Sequence, residues 1–589
     1  MKKKKVIAST VALLLAATTV IGCTKSDNGG NKASEAPSSA APSKATESAS
    51  TGGKYPLINY DSMFPVTKEP IELEVLYVYD SINSGNFEDL WFNQYMDKFS
   101  NVKIKPRLIA SEAWPEQKAI MLASNNLPDI FFVPFNNSEM VTYAMNDKLM
   151  IPLNEYLNDK ELTPNINKVF ETNSDLKAAS VLPDGNIYGL GYYLTDETAS
   201  GFRAQWIMEF LKKANVDPKS IVTLDDLYDT LVALRDSDFN GNGKQDEIPW
   251  GYYSDNNPIP AWSNLLGYVL NAHGFVTGDG AVAVNTRDNT AGYAPLTEQY
   301  KSTIEYLKKL YSEKLLDQDT FTQTESDFQA KGKSGLIPFT TYFNSYAVVP
   351  DNIVAEHTAA NYDGSVLYSS TPVVDQAGNT PVTNGDYMLG LNQISISKSS
   401  KYPEVAIRWL DAMFDPVNSL YYRSGPEHQS ELDWGGTGWI YDTEKTDINM
   451  LATVQKKGMD NGYLYLLKYN SYLSSVAFVG TDDKAGLKIL HPDAYTKQAN
   501  NWLTPYVTNI NPYEVTGFPS VYYTGDEQEF NERYVPELHK YVYSMTAKFI
   551  TGAESMDKYD SFVEGMKKLK ASEYNELLHN KFEEYKKSK

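Results

Sequence analysis

The sequence predicts an α/β protein of at least two lobes. Two observations carry this. At 589 residues the chain is too long for one compact core. From residue 70 onward, short alternating apolar stretches take turns with amphipathic ones, the β-α-β-α-β rhythm of a largely parallel sheet. Leu73-Glu-Val-Leu-Tyr-Val-Tyr79 alternates with the period of a strand. Phe87 to Phe99 reads as an amphipathic helix, Val102 to Arg107 as a strand, Trp114 to Ser124 as a helix and Leu127 to Val133 as a short buried strand. Folded sequence is expected to begin near Pro70.

Further on the rhythm is lost. Pro183-Asp-Gly185 signals a hairpin-like turn leading to Tyr192 and Tyr193. A helix is expected from Arg203 to Ala214. The next has Thr223 as N-cap with Asp226 three residues on, close to a capping box. Leu224, Leu227, Tyr228, Leu231 and Leu234 line one of its faces. Tyr300, Ile304, Leu307 and Tyr311 mark another helix. Ser334 to Phe339 and Met388 to Ile396 read as strands, and Pro403 to Phe414 as a helix with Trp409 inward. Helices around Leu538–Phe549 and from Tyr559 to Leu569 close the chain.

The most legible chemistry lies in Asp236-Ser-Asp-Phe-Asn-Gly-Asn-Gly-Lys-Gln-Asp-Glu247. Oxygen-bearing side chains alternate along it, and Gly241 and Gly243 sit where a tight loop needs a positive φ. Hard oxygens on a glycine-hinged loop are what Ca²⁺ takes; Mg²⁺ seldom uses all-protein cages. Two registers are open. A start at Asp236 matches the EF-hand pattern with Glu247 as the closing acid, but a glycine falls at its eighth position and Ile248-Pro249 follows in place of a helix. A start at Asp238 uses Asp238, Asn240, Asn242, the Lys244 carbonyl, Asp246 and Glu247, and is preferred. The ion would be structural. A metal-free Asp/Gly turn is the alternative.

The formal charge of −22 disfavours nucleic acid and anionic membrane surfaces as partners. The six histidines are scattered without metal-like spacing. The single cysteine, Cys23, excludes an intramolecular disulfide. Lys2–Lys5, the apolar run Val6–Val20 and Val20-Ile-Gly-Cys23 form a leader (residues 1–22) ending in a sequence that resembles a bacterial lipobox. An ordinary signal peptide or a membrane-spanning anchor would be the alternatives. Lipidation of Cys23 would hold the protein outside the cytoplasm on the cell membrane, through the lipid alone. Residues 23–54, rich in Ser, Ala, Gly and Pro, are expected to be a disordered tether.

Several segments together resemble the extracellular solute-binding proteins of family 1, in the large lipoprotein branch near the alginate-oligosaccharide-binding proteins. They are the lipobox at Cys23, Leu127-Pro-Asp-Ile130, Tyr306-Leu-Lys-Lys-Leu-Tyr311 with Leu315-Leu-Asp317, the loop Asp238–Glu247 with Ile248-Pro249, and Lys548-Phe-Ile-Thr-Gly552. Such relatives suggest the shorter calcium register. The resemblance implies a type II periplasmic-binding-protein-like fold with discontinuous lobes and a multi-stranded hinge. One lobe is expected from residues 70–190 plus 390–510, the other, with the calcium loop, from 195–388 plus 511–589. Crossings are expected near Tyr192–Ala204 and Asp386–Asn392. The implied role is non-enzymatic: a monomer captures an oligosaccharide between the lobes and delivers it to the permease subunits of an ABC importer. Sugars present apolar C–H faces and rings of hydroxyls, which suit aromatic platforms with planar polar partners. Trp206, Trp262, Trp434, Trp439, Arg203, Asn136, Asn137 and Glu427 are the candidates for contact, with packing inside a lobe as the other reading of each tryptophan. An extracellular glycosidase with paired carboxylates, or a peptide-binding or sensory lipoprotein, are the competing functions.

Overall fold

The computed structural model describes residues 53–79, 87–193, 204–254, 264–277, 281–342, 345–359, 366–385, 389–429, 438–444, 446–449, 483–494, 509–515 and 517–588. Residues 52–589 form one compact unit. Within it, two sheets each carry their own hydrophobic core.

The first sheet has five strands in the order Val102–Ala110, Ile71–Tyr79, Ile130–Phe132, Leu389–Ile396, Gly189–Tyr193. The first three are parallel, joined by the helices Trp91–Ser100 and Trp114–Ser124. Leu389–Ile396 runs antiparallel between Ile130–Phe132 and Gly189–Tyr193. The alternation read in the sequence divides the sheet's two faces. Leu73, Val75 and Tyr77 join one cluster with Ile394, Ile396 and the helix Pro403–Met413. Leu76 and Val78 join another with Phe131, Phe135 and Tyr522. Trp409 is buried in the first of these, as its helical spacing predicts.

The chain docks on this sheet earlier than its composition suggests. Ile58 and Val66 are fully buried. Val66 N–H donates to the Ser100 carbonyl at 2.8 Å, and Arg408 Nη2 donates to the Ser62 carbonyl at 3.3 Å. The packed chain thus extends upstream of Pro70 to at least Ile58: two well-placed apolar residues hold an otherwise polar strap.

The second core gathers Trp206, Leu227, Leu231, Leu234, Trp250, Ile304, Leu307, Leu538, Val542 and Phe549. Its small sheet is antiparallel, Leu367–Ser369 against Gln205–Ile207 against Phe339–Thr340. The expected helix at Arg203–Ala214 therefore starts late. Gln205–Ile207 is a buried strand, and only Met208–Lys213 is helical. Likewise, of the expected strand Ser334–Phe339 only Phe339 falls within the observed strand, Phe339–Thr340. The capping box at Thr223 and Asp226 is present, with both reciprocal hydrogen bonds. The long helix Asp526–Thr551 packs its inner face on this core, followed by Tyr559–Lys568 and, beyond the expected last helix, a further one, Ala571–Ser588.

Among the described residues, at least three segments mark passages of the chain between the two cores. Gly189–Tyr193 belongs to the first sheet and Gln205–Ile207 to the second. Thr383–Asn384 precedes Leu389–Ile396 and pairs with Glu514–Val515. The third segment carries Tyr522, buried on the first core, into the long helix of the second. Among the described residues no helix is long and apolar enough to cross a membrane.

Candidate functional site

The helix Leu224–Arg235 ends directly in the acidic loop. Gly241 and Gly243 have φ of 75° and 74°, and open space surrounds both, so dihedral strain alone demands glycine there. The backbone coils around its own acids. The Asp238 carboxylate accepts from Asn242 N–H and Gly243 N–H, both at 2.9 Å, and Asn242 Nδ2 donates to Asp246 Oδ1 at 3.0 Å. Lys244 N–H donates to Asn242 Oδ1, leaving the Lys244 carbonyl for other use. Asp236 is turned away and forms a two-pronged pair with Arg235, at 2.8 and 3.2 Å.

Glu247 is the exception in this loop. Both of its carboxylate oxygens are buried and neither has a hydrogen-bond partner. Burial raises its pKa, the nearby backbone N–H groups of Glu247 and Asp246, short of hydrogen-bond geometry, partly offset this, and the charges of Asp246 and Asp238 add to the rise. A buried carboxylate without a donor is costly, and two more carboxylates close by make the site short of positive charge. Among the described residues no three of His, Cys, Asp and Glu already stand together as a coordination sphere. The donor set is nonetheless the hard oxygen type, and the orphaned Glu247 fits a dication of that preference.

The sequence-predicted contact residues do not form one surface. Trp206 is fully buried, stacked on Phe339 at 4.0 Å with Nε1 donating to Ser370 Oγ. Trp439 is also fully buried, its Nε1 donating to the Gly425 carbonyl. In this conformation neither offers a ring face to a ligand, and both act as packing residues. Asn136 is an N-cap whose side chain accepts from Glu139 N–H, and Asn137 bonds across to Ser520 and Val521. Glu427 is half-buried and paired with His491 at 2.7 Å, against which Tyr441 stacks at 3.9 Å. Arg203, Trp262, Trp434 and Cys23 lie outside the described residues.

The structure brings forward aromatics that the sequence reading passed over. Trp91 is the first residue of the helix that follows the strand Ile71–Tyr79, at the carboxyl end of the parallel strands where α/β sheets receive ligands. Its half-buried ring meets that of Tyr421 edge-on at 5.7 Å. Burial, and then the charge of Glu427, push the Tyr421 hydroxyl up. Arg423, on the same helix as Tyr421, acts electrostatically on Tyr192 in the last strand before the first crossing. Trp91 and Tyr421 thus share a ring contact at the carboxyl end of the first lobe's parallel strands, while the charges of Glu427 and Arg423 act on the Tyr421 and Tyr192 hydroxyls. The signal available in sequence was position, since Trp91 opens a helix after a parallel strand.

Residues 82–418 match the family described as bacterial extracellular solute-binding protein. The chain belongs to this family. Its fold is the two-lobe α/β architecture of such proteins. The solute-binding protein is similar to the fructooligosaccharide ABC transporter substrate-binding protein FusA of Streptococcus pneumoniae serotype 4, 23% identical over 80% of this chain and 83% of the relative. A solved structure of FusA, an EF-hand mutant in complex with fructo-nystose, aligns with TM-score 0.65 at 17% identity, covering 88% of this chain and 100% of that one. A human-milk-oligosaccharide (HMO)-binding, ABC-transporter-associated solute-binding protein of Bifidobacterium longum infantis aligns with TM-score 0.66 at 17% identity, covering 88% and 99%. The alginate-binding protein AlgQ2, solved without calcium ion, gives 0.56 at 18% identity, covering 88% and 99%.

Proposed function

We propose that this solute-binding protein captures an oligosaccharide between its lobes and delivers it to the permease subunits of an ABC importer. Family membership makes it a binding protein, and the observation that carries the sugar reading is the contact of the half-buried Trp91 and Tyr421 rings at the carboxyl end of the first lobe's strands, with the charge of Glu427 acting on Tyr421. Half-buried rings beside planar charged groups are what a carbohydrate's C–H faces and hydroxyls call for. The relatives named for fructooligosaccharide, milk-oligosaccharide and alginate binding support the same class. We further propose that the chain acts as a monomer, held outside the cytoplasm by lipid on Cys23, with one lobe built on residues 70–190 and 390–510 and the other on 195–388 and 511–589. Arg203, Trp262 and Trp434 complete the contact set in this reading. The strap at 54–68 and Tyr522 move the lobe edges slightly.

The acidic loop is assigned to structural Ca²⁺. Asp238, Asn240, Asn242, the Lys244 carbonyl, Asp246 and Glu247 would hold it, and the ion would supply the positive charge that Glu247 lacks. The pairing of Asp236 with Arg235 favours the shorter register. FusA has been solved as an EF-hand mutant and AlgQ2 without calcium ion, which supports this choice.

Isothermal titration against a panel of fructo-, galacto-, manno- and uronic-acid oligosaccharides tests the proposal. One class should bind with micromolar or tighter affinity and be recovered uncleaved. Trp91→Ala and Tyr421→Ala should each weaken that binding at least about tenfold, the loss expected for a stacking contact. Hydrolysis of the bound sugar would make the chain a glycosidase, and binding of peptides alone would remove the sugar reading.

A further inference from the structure

The third crossing between the lobes is tied down by side chains rather than by a sheet. Asn392 lies in a β-bulge, where the pairing of Leu389–Ile396 with Gly189–Tyr193 shifts register between Gly390 and Ile394. Its φ is 53°, a left-handed conformation that Asn tolerates better than most residues. The bulge lifts its side chain out of the ladder, and Asn392 Nδ2 donates to Asn137 Oδ1 at 3.1 Å and to the Tyr522 hydroxyl at 3.3 Å. Asn137 Nδ2 in turn donates to Ser520 Oγ at 2.7 Å and to the Val521 carbonyl at 2.9 Å. Two amides therefore pin residues 520–522 to the first lobe. The Tyr522 hydroxyl completes the junction by donating to the Ala179 carbonyl at 3.2 Å.

Immediately beyond, the chain has a single residue suited to swivelling. Gly525 precedes the helix Asp526–Thr551 with φ 52° and ψ −124°, a region that only glycine occupies readily, and nothing lies within 4 Å of where its Cβ would be. From Val535 onward the helix is buried in the second lobe. Its first two turns reach back. Gln528 Nε2 donates to Ser138 Oγ and Thr142 Oγ1, both at 3.0 Å, and Ser138 Oγ donates to Glu532 Oε1 at 2.9 Å. No apolar burial accompanies these bonds at Glu532, which is exposed.

We infer that Gly525 is a pivot of the lobe hinge, with Asn137 and Asn392 as the positioning residues that hold its fixed side, and that Gln528 and Glu532 with Ser138 and Thr142 form a latch made in one lobe arrangement and broken in another. The physical contrast supports the division of roles. On the pinned side the Asn392–Tyr522 bond is buried, those to Val521, Asn137 and Ala179 are half-buried and only the one to Ser520 is exposed, so breaking them costs the desolvation of the buried amide. The latch is polar and partly exposed, so water replaces its bonds at little cost and it can open and close. The inference rests on the two-lobe fold and the binding role, not on the identity of the solute.

Electron–electron distance measurement on the ligand-free unit 52–589 tests it, with spin labels on Glu116→Cys in the first lobe and Glu305→Cys in the second. Both positions are exposed, and this unit holds no native cysteine. Gln528→Ala/Glu532→Ala should change the ratio of interlobe distance populations at least about threefold, the scale of losing a few exposed hydrogen bonds, while the melting temperature stays within ~2 °C of the parent. Gly525→Ala should also move the distribution. Gly552→Ala, at a left-handed cap on the far end of the same helix with φ 79°, should lower stability and leave the distances alone. Superimposable distributions for the latch variant and for Gly525→Ala would overturn the inference, as would an equal change from Gly552→Ala. Because no sugar is added, failure here would leave the assignment of an oligosaccharide ligand untouched.

Discussion

Replacing Glu247 by glutamine should have opposite consequences with and without calcium. Both Glu247 oxygens are buried, unpartnered and close to Asp238 and Asp246, a like-charged setting that a chelator would leave uncompensated. Glu247→Gln removes a charge that burial and two like charges oppose, so the variant should melt at or above wild type in chelator. With calcium the sign reverses, because the substitution deletes a charged ligand. A site with a dissociation constant of ~10 µM, at the weak end of the sensor range, stabilises the folded state by about 2.7 kcal/mol in 1 mM Ca²⁺. For a lobe of roughly 250 residues that is ~5–10 °C of melting temperature. Wild type should gain such a shift between chelator and 1 mM Ca²⁺, and Glu247→Gln should lose most of it. The assay is calorimetric melting of residues 52–589 in the four combinations. Absence of a calcium shift in wild type, together with equal destabilisation by Glu247→Gln in both buffers, would refute the metal reading and leave a plain Asp/Gly turn.

Trp206→Ala should cost roughly 3–5 kcal/mol in urea unfolding, since it removes a fully buried ring stacked on Phe339, with sugar affinity of the folded fraction retained; lost binding at unchanged stability would return Trp206 to the ligand surface. Ile58→Ala should destabilise by roughly 2–5 kcal/mol and expose the 54–68 strap to protease; no change would mean that the strap adds nothing to the first lobe. His539 stacks on Tyr293 and meets Tyr574 edge-on, with its Nε2 buried and unpartnered, and burial pushes its pKa down to about 4. A lowered imidazole pKa means that the unfolded chain binds the proton first, so this contribution is present above the unfolded value of 6.5 and is lost as pH falls towards 4. His539→Phe should flatten unfolding free energy between pH 7.5 and 4.5 by up to about 3 kcal/mol; an unchanged slope would place the acid sensitivity elsewhere.

Where neighbours in sequence are also the neighbours that matter, the residues alone were sufficient. Leu73–Tyr79 alternates because a strand exposes successive side chains to opposite faces, and the structure divides Val75 and Leu76 between two clusters accordingly. Thr223 and Asp226 cap a helix through atoms three residues apart. The loop from Asp238 to Glu247 carries its donors and its glycines within one turn of chain.

The fate of the aromatics and amides was a different matter. Trp206 is core because Phe339 and Ser370, far along the chain, close over it, and Trp439 because Leu420 and Leu487 do. Asn137, which follows a strand and so resembles a ligand contact, turns out to be bonded to Ser520 and Asn392. Trp91 reads as one more apolar helix residue until the parallel order of three strands puts its end of the helix at the carboxyl edge of the sheet. The sequence by itself determined the α/β rhythm, the caps and the acidic loop, because periodicity, capping and chelation are decided over a few residues. Only the tertiary structure decided which rings are buried and which amides bridge the lobes, because burial depends on what the rest of the chain brings to the same place.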